Sequence, residues 1–333
     1  MKAIIIDGEG GFENLKLVER PMPEPGRGEI VLKLSAASIN YRDLEMVQRT
    51  YSSWFPTPLI PLSDGVGEVV AIGDGVTRAK PGDRVAGTFW QGWIGGRFEE
   101  GPQLGGSVDG MLSEYVKLDE VGIVQVPEHL TDQEAATLPC AAVTAWQALV
   151  TDGHLKAGES VLIQGTGGVA IFALQFAAMF GARSIVTSSS DAKLGKAKAL
   201  GATATINYTK TPEWHIEARR LNGGDGIDHV IEVGGPDTLI RSLEALRLGG
   251  QIHMIGYVAG KKGTINPLAI LTRRAIVRGL PTGSRESFEA MNRAIALNRM
   301  RPVIDRVFPW QDFPKALRYL GEGKHFGKIV LAF

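Results

Sequence analysis

VLIQGTGGVAIFALQFA, residues 161–177, runs from a short apolar strand through a glycine turn into a helix that is apolar on every side. Gly165, Gly167 and Ala170 stand in the G-x-G-x-x-[GA] pattern. Each has a physical task. A glycine at 165 permits a tight turn, one at 167 lets the backbone approach a pyrophosphate, and a small residue at 170 lets the helix sit close to the strand. The free amides at the helix start then face the phosphates. The pattern alone is weak, because a glycine-rich turn meets it by chance. Its surroundings decide the reading.

Downstream, strands and helices alternate. After the helix over 168–180 come RSIVT, a helix over 191–200, ATATINY, a polar helix over 212–221, IDHVIEV, a helix over 236–248, QIHMIG and, near Ala275, AIVRGLP. Asp191 and Asp237 mark helix starts, and Gly181, Gly201 and Gly249 follow helix ends. Such a series predicts an open, mostly parallel, doubly wound sheet with right-handed crossovers. The fold class is therefore α/β. A glycine turn on the first strand of that sheet predicts a dinucleotide cofactor.

Upstream, short apolar strands over 3–6, 29–36, 66–72, 84–87 and 111–118 are separated by Pro and Gly, as in ERPMPEPGRGEI and KPGD. That suits a β-rich, barrel-like domain. After 285 come a helix over 288–298, a helix over 313–321 and a last strand, KIVLAF, which needs a partner. The division expected is 1–126 with 285–333, and 127–284 for the cofactor domain.

Lys plus Arg and Asp plus Glu both number 36, so the net charge is zero. No basic run supplies a nucleic-acid footprint. The most apolar window, 161–180, is broken by Gln164 and the glycines, which argues against a membrane span. Cys140 is the one cysteine, so no internal disulfide or thiolate cluster can form. MKAIIIDGEG is too briefly apolar for a signal peptide. A cytoplasmic protein acting on a small molecule, with no nucleic-acid or membrane partner, is expected.

About twenty residues past the glycine turn, an acid would grip the ribose hydroxyls of NAD. Here the strand ends in TSSSDAK, with Ser188 near that position and Ser189 and Lys193 close by. A carboxylate would repel a 2′-phosphate, whereas hydroxyls and an ammonium would hold it, so NADP(H) is expected. Asp191 has two readings, a helix cap or a displaced NAD ligand.

With SDGVGEVVAIGDGV, KPGDRV, GMLSEYV, LPCAAVTAWQAL, LGATATINY and HFGKIVL, the chain resembles the medium-chain dehydrogenase/reductase superfamily over essentially its whole length. More narrowly it is similar to the zinc-independent quinone oxidoreductase and enoyl reductase branch. The resemblance implies a GroES-like substrate domain, a Rossmann domain, and a homodimer through the last Rossmann strands, AIVRGLP. It implies cofactor contacts at Thr144, Gly165, Thr166, Gly167, Gly168 and Val169, and further ones at Val233, Gly256, Tyr257, Phe326 and Lys328. Lys193 and Tyr208 would reach the 2′-phosphate with the serines.

The resemblance also implies that no zinc is held. Zinc-dependent relatives carry a cysteine ligand where this chain has Asn40, and a His-Glu pair where it has Asp64 and Gly65. Only Cys140 keeps the third ligand position, and 89–104 lacks the four cysteines of a structural zinc lobe. A catalytic zinc needs three good N or S ligands, so Cys140 reads as a small buried hydrophobe.

Without a Lewis acid, a conjugated acceptor (an enone, an enoyl thioester or a quinone) is the easier hydride target. The enolate formed needs hydrogen-bond donors and then a proton. In enoyl reductase relatives a tyrosine shortly after N-x-x-D donates that proton, which by position is Tyr51. Tyr41 is the rival, and Tyr51 has a second reading as an interface aromatic beside Trp54 and Phe55. Asn40 would orient the nicotinamide or a substrate carbonyl. FWQGWIGGRF, residues 89–98, suits either a lid or a packed surface loop. Three functions are carried forward: an NADPH-dependent reductase of activated acceptors, an alcohol or aldehyde dehydrogenase, and a non-catalytic NADPH-binding protein.

Overall fold

In the computed structural model, which describes residues 1–51 and 55–333, the chain folds as two units, Met1–Val143 with Gly283–Phe333, and Thr144–Thr282. In the first, β1 (Lys2–Ile6) and β2 (Leu15–Glu19) form an antiparallel hairpin. Then come β3 (Glu29–Ile39), helix α1 (Tyr41–Val47), β4 (Asp64–Ile72), β5 (Arg84–Gly87), β6 (Tyr115–Asp119) and β7 (Ile123–Gln125). The strand expected over 111–118 is regular only from Tyr115, with Ser113 making an isolated bridge to Ala3.

Residues 127–143, which the sequence reading assigned to the cofactor domain, belong to the first unit. A short helix, α2 (Asp132–Ala135), is capped by Thr131 and Glu134 and packs on β3 and β4. That burial ties the segment to the barrel-like sheet. A turn of π-helix, Leu138–Ala142, follows and carries Cys140.

The second unit starts within helix α3 (Val143–Trp146). It holds β8 (Ser160–Gln164), α4 (Gly168–Met179), β9 (Arg183–Ser188), α5 (Asp191–Ala199), β10 (Ala204–Asn207), α6 (Trp214–Leu221) and β11 (Ile227–Glu232). It is completed by α7 (Pro236–Ala245), β12 (Leu246–Met254), α8 (Pro267–Arg273) and β13 (Ile276–Gly279). All six strands are parallel, in the order β10-β9-β8-β11-β12-β13. This is the doubly wound Rossmann order. β8 is buried throughout, and α4 buries Ile171, Phe172, Leu174 and Phe176. α6 and α7 meet the face bearing Leu162, Ile185, Val230 and Ile252.

The helix expected over 236–248 ends at Ala245, because Leu246 already pairs with Ile227. The next pair is His229 with Gln251, so the chain around Gly249–Gly250 bulges inside β12 and does not cap a helix.

The first unit closes with α9 (Arg285–Asn298), β14 (Ile304–Pro309), α10 (Phe313–Gly321) and β15 (Lys328–Ala332). Its sheet runs β14-β15-β3-β4-β5-β7, with β6 also on β3. KIVLAF thus finds its partner in β3, antiparallel, with Ile329 opposite Ile39, while Ser38 lies opposite Asp64 on β4. These two registers build the polar cluster described next.

Candidate functional site

In the second unit, strand order reverses between β8 and β11, and ligands of open α/β sheets bind outside the carboxyl ends at such a point. Gly165 follows β8 with φ +79°, a conformation L side chains rarely adopt. Gly167 caps α4 without any side-chain acceptor, so the first amides, Gly168 and Val169 among them, are left for a ligand. Thr166 beside them is buried. These residues fit a pyrophosphate.

Two residues with no site role assigned from the sequence shape this face. Glu232, fully buried at the end of β11, accepts from the backbone of Gly234 (2.8 Å) and Gly235 (3.1 Å), and from Thr238, Ser242 and Gln164 Nε2. Gln164 Oε1 accepts from Val233 and Gly234, each at 3.2 Å. Strands β8 and β11 are thereby locked together at the glycine turn. The signal was present, since a glutamine and a glutamate each follow an apolar run, VLI and VI, at the ends of these two strands. Val258 donates to the Val233 carbonyl, and a Cβ on Gly256 would meet that oxygen at 3.1 Å, so the Val233 and Gly256–Tyr257 loops touch. Thr144 is buried on α3.

The ends of β9 and β10 bring Ser188, Ser189, Lys193 and Tyr208 together. Asn207 pairs with Ser188, and the Tyr208 backbone amide donates to the Ser188 carbonyl at 3.1 Å. Ser188 Oγ accepts from Ser190 at 3.2 Å, and Ser190 caps α5 by accepting from Lys193 N at 3.4 Å. The cap is therefore Ser190 and not Asp191. The Asp191 carboxylate accepts from Asn207 and pairs with Lys210, which together hold its carboxyl below the usual range.

The first unit holds the other cluster. Asn40 caps the start of α1, and Asp43 accepts from its backbone amide at 2.7 Å. Burial pushes the Asp43 carboxyl up to about 6 against the pull of Arg42. Lys328, 3 % exposed, donates to the Ile39 carbonyl (2.7 Å) and to Asn40 Oδ1 (2.5 Å), and stands 3.7 Å from Asp64 Oδ2. Fully buried Asp64 accepts from Ser63 (2.7 Å) and Ser38 (3.1 Å). Lys328, expected among the cofactor contacts, has its ammonium bonded inside this cluster, because the β15–β3 register carries it to Asn40. Phe326 is buried in the same unit, its amide donating to Asp305.

Cys140 is half-buried, and its thiol is pushed well up by burial and then by the Asp64 carboxylate. Zinc does not fit here. The oxygens of Asn40 and Asp64 face a resident ammonium, the thiol resists ionisation, and a dication would have to displace a fixed cation. Among the described residues, no three His, Cys, Asp or Glu side chains are grouped as a metal ion would require.

Tyr41 opens α1 and is 44 % exposed; Tyr51 is 38 % exposed, with its ring 5.5 Å from the Arg42 guanidinium. Arg42 is anchored by Leu104 and Gly105 carbonyls and also covers Phe89 at 4.7 Å. Trp54 lies outside the described residues. The 89–98 loop is packed: Trp90 and Trp93 meet Phe98 edge-on at 5.3 and 5.0 Å, and the Trp93 and Ile94 carbonyls receive the amides of Arg285 and Glu286. Of its two readings, the packed surface loop is the one observed.

The chain matches the alcohol dehydrogenase GroES-like domain family over residues 26–128 and the zinc-binding dehydrogenase family over 168–296. It is 42% identical to a zinc-type alcohol dehydrogenase-like protein of Schizosaccharomyces pombe, covering 99% of each chain. The solved structure of a putative alcohol dehydrogenase from Sinorhizobium meliloti is 40% identical, with a TM-score of 0.92 over 100% of this chain and 98% of that one. A 2-octenoyl-CoA carboxylase reductase, solved with NADP and 2-octenoyl-CoA, is 26% identical, with a TM-score of 0.86 over 99% and 87%.

Proposed function

The chain belongs to the medium-chain dehydrogenase/reductase superfamily, a family of oxidoreductases, and from that premise we propose that it is a zinc-independent, NADPH-dependent reductase of small conjugated carbonyl acceptors such as enones, enoyl thioesters or quinones. The observation that carries the reading is the buried Lys328 ammonium bonded to Asn40 and facing Asp64. It puts a fixed cation where zinc-type relatives would need an empty ligand set.

When bound, NADPH supplies a hydride. The chain's own residues do the rest. The amides of Gly168 and Val169 hold the pyrophosphate, and Ser188, Ser189, Lys193 and Tyr208 hold the 2′-phosphate. Asn40 donates to the acceptor's oxygen, and the Tyr51 hydroxyl gives the proton that completes reduction of the double bond. The relative solved with NADP and an enoyl thioester supports this pairing of cofactor and acceptor.

We also propose a homodimer through β13. Among the described residues it pairs only with β12, and Leu268, Leu271 and Ile276 are exposed on α8 and β13. An alcohol or aldehyde dehydrogenase is the second reading, favoured by the names of two of the relatives matched. NADPH oxidation measured against quinones, enones, enoyl thioesters and aldehydes separates the two. Turnover confined to alcohols and aldehydes would sink the first, and tight NADPH binding with no turnover on any acceptor would sink both.

A further inference from the structure

We propose that Lys328 is a positioning residue, whose buried ammonium fixes the Asn40 carboxamide so that Nδ2 presents its N–H groups to the oxygen of the bound acceptor. This rests on the reductase reading above. An ammonium has three donors and no acceptor. Those of Lys328 reach the Ile39 carbonyl and Asn40 Oδ1 as hydrogen bonds, and the ammonium faces the Asp64 carboxylate 3.7 Å away. Bonded and charge-paired inside this cluster, it acts on the substrate through Asn40.

A cation bonded to an amide oxygen decides which way the amide points, with Oδ1 toward the charge and Nδ2 away from it. Asn40 Nδ2 is buried and has no hydrogen-bond partner among the described residues. Buried donors are nearly always paired, and each exception calls for a reason. Here the reason is an acceptor that arrives with the substrate. As hydride adds to the β-carbon of a conjugated carbonyl, the π electrons move onto its oxygen, and a proton then reaches the α-carbon. Preorganised N–H groups next to a fixed positive charge stabilise that oxygen without reorganising. Asp64, itself held by Ser38 and Ser63, keeps the ammonium in register.

The test is a double-mutant cycle on one enone. The kcat of the parent, Asn40→Ala, Lys328→Met and the double variant is measured, with the NADPH dissociation constant read separately by fluorescence. We expect kcat to fall roughly 100-fold in Asn40→Ala, the usual loss for one such donor, and roughly tenfold or more in Lys328→Met. Because Lys328 acts through Asn40, the double variant should be no slower than Asn40→Ala. NADPH affinity should hold within about twofold, since the pyrophosphate and 2′-phosphate contacts are untouched. Lys328→Met leaves Asp64 charged and buried, so Lys328→Met/Asp64→Asn is the folded companion. Recovery of kcat in that companion, or additive losses in the cycle, would overturn the proposal. So would weakened NADPH binding with kcat retained, which would give Nδ2 to the nicotinamide amide. A parent active only on aldehydes defeats the reductase reading alone, and the same cycle on an aldehyde still decides the role of Lys328.

Discussion

The Tyr51 ring lies 5.5 Å from the anchored guanidinium of Arg42. Tyr51→Phe keeps that contact and removes only the hydroxyl. Turnover on a conjugated acceptor should fall roughly 10²–10⁴-fold, the range for a positioned acid. A quinone should suffer less, because its reduced form collects protons from water. A variant as fast as the parent on enones would pass the role to Tyr41. The corner of Ser188, Ser189, Lys193 and Tyr208 makes the second case. With charge-assisted bonds each worth about 1.5–3 kcal/mol, a pair gives NADPH a preference over NADH of at least roughly a hundredfold. Lys193→Ala should erase about tenfold or more of it in a fluorescence titration, with NADH binding unchanged. Equal affinity of the parent for both cofactors would defeat this. Gly165 was legible from its neighbours alone, because its task is local, while Asn40 and Lys328 were singled out only through the family resemblance. The bond between those two was not legible, since they lie 288 positions apart and only strand register joins them.

The buried histidines of β11 and β12 show what one element imposes on another. His253 is fully buried, its ring stacks on His229 at 5.5 Å, and His229 reaches Glu159 at 3.1 Å. Burial holds His253 down to about 3, with His229 and Arg278 adding to the effect, and burial lowers His229 as well. His253 is therefore neutral in the fold. The unfolded chain takes up protons below about 6.5, so the stability that His253 contributes is complete above that pH and drains away as pH falls toward 3. By pH 5 the loss from His253 alone is about 2 kcal/mol. Urea unfolding at pH 7 and pH 5 should show that difference in the parent, and His253→Gln should narrow it. An unchanged gap would clear His253 of the effect. Nothing in the alternation of strands and helices foretold this pair, because adjacency of β11 and β12 becomes visible only with the register. The same holds for the start of β12, where LRLGG carries a helix-ending glycine by local rules but pairs as a bulged strand. In contrast, β8 and α4 were legible almost to the residue, since a strand–glycine turn–helix is specified locally.

The whole chain is read through its two units, whose α/β architecture follows from the change of rhythm along the sequence. The exposed β13 edge is expected to carry a second copy. Ile276→Asp should then shift the parent's dimer to monomer by light scattering, with NADPH affinity little changed; a monomeric parent would end the idea. A chelator should leave activity intact, because Asn40 and Asp64 face an ammonium and the Cys140 thiol resists ionisation, and activity lost together with one zinc per chain would contradict it. The first unit is also discontinuous: β15 and Lys328 follow every residue of the second unit along the chain. On a ribosome, the strands β3 and β4 therefore wait, with an open edge and an unneutralised Asp64, while the whole Rossmann unit emerges and folds. Unpaired strand edges invite association, so a chaperone holding β3 during synthesis would guard the step at which this protein is most exposed to aggregation.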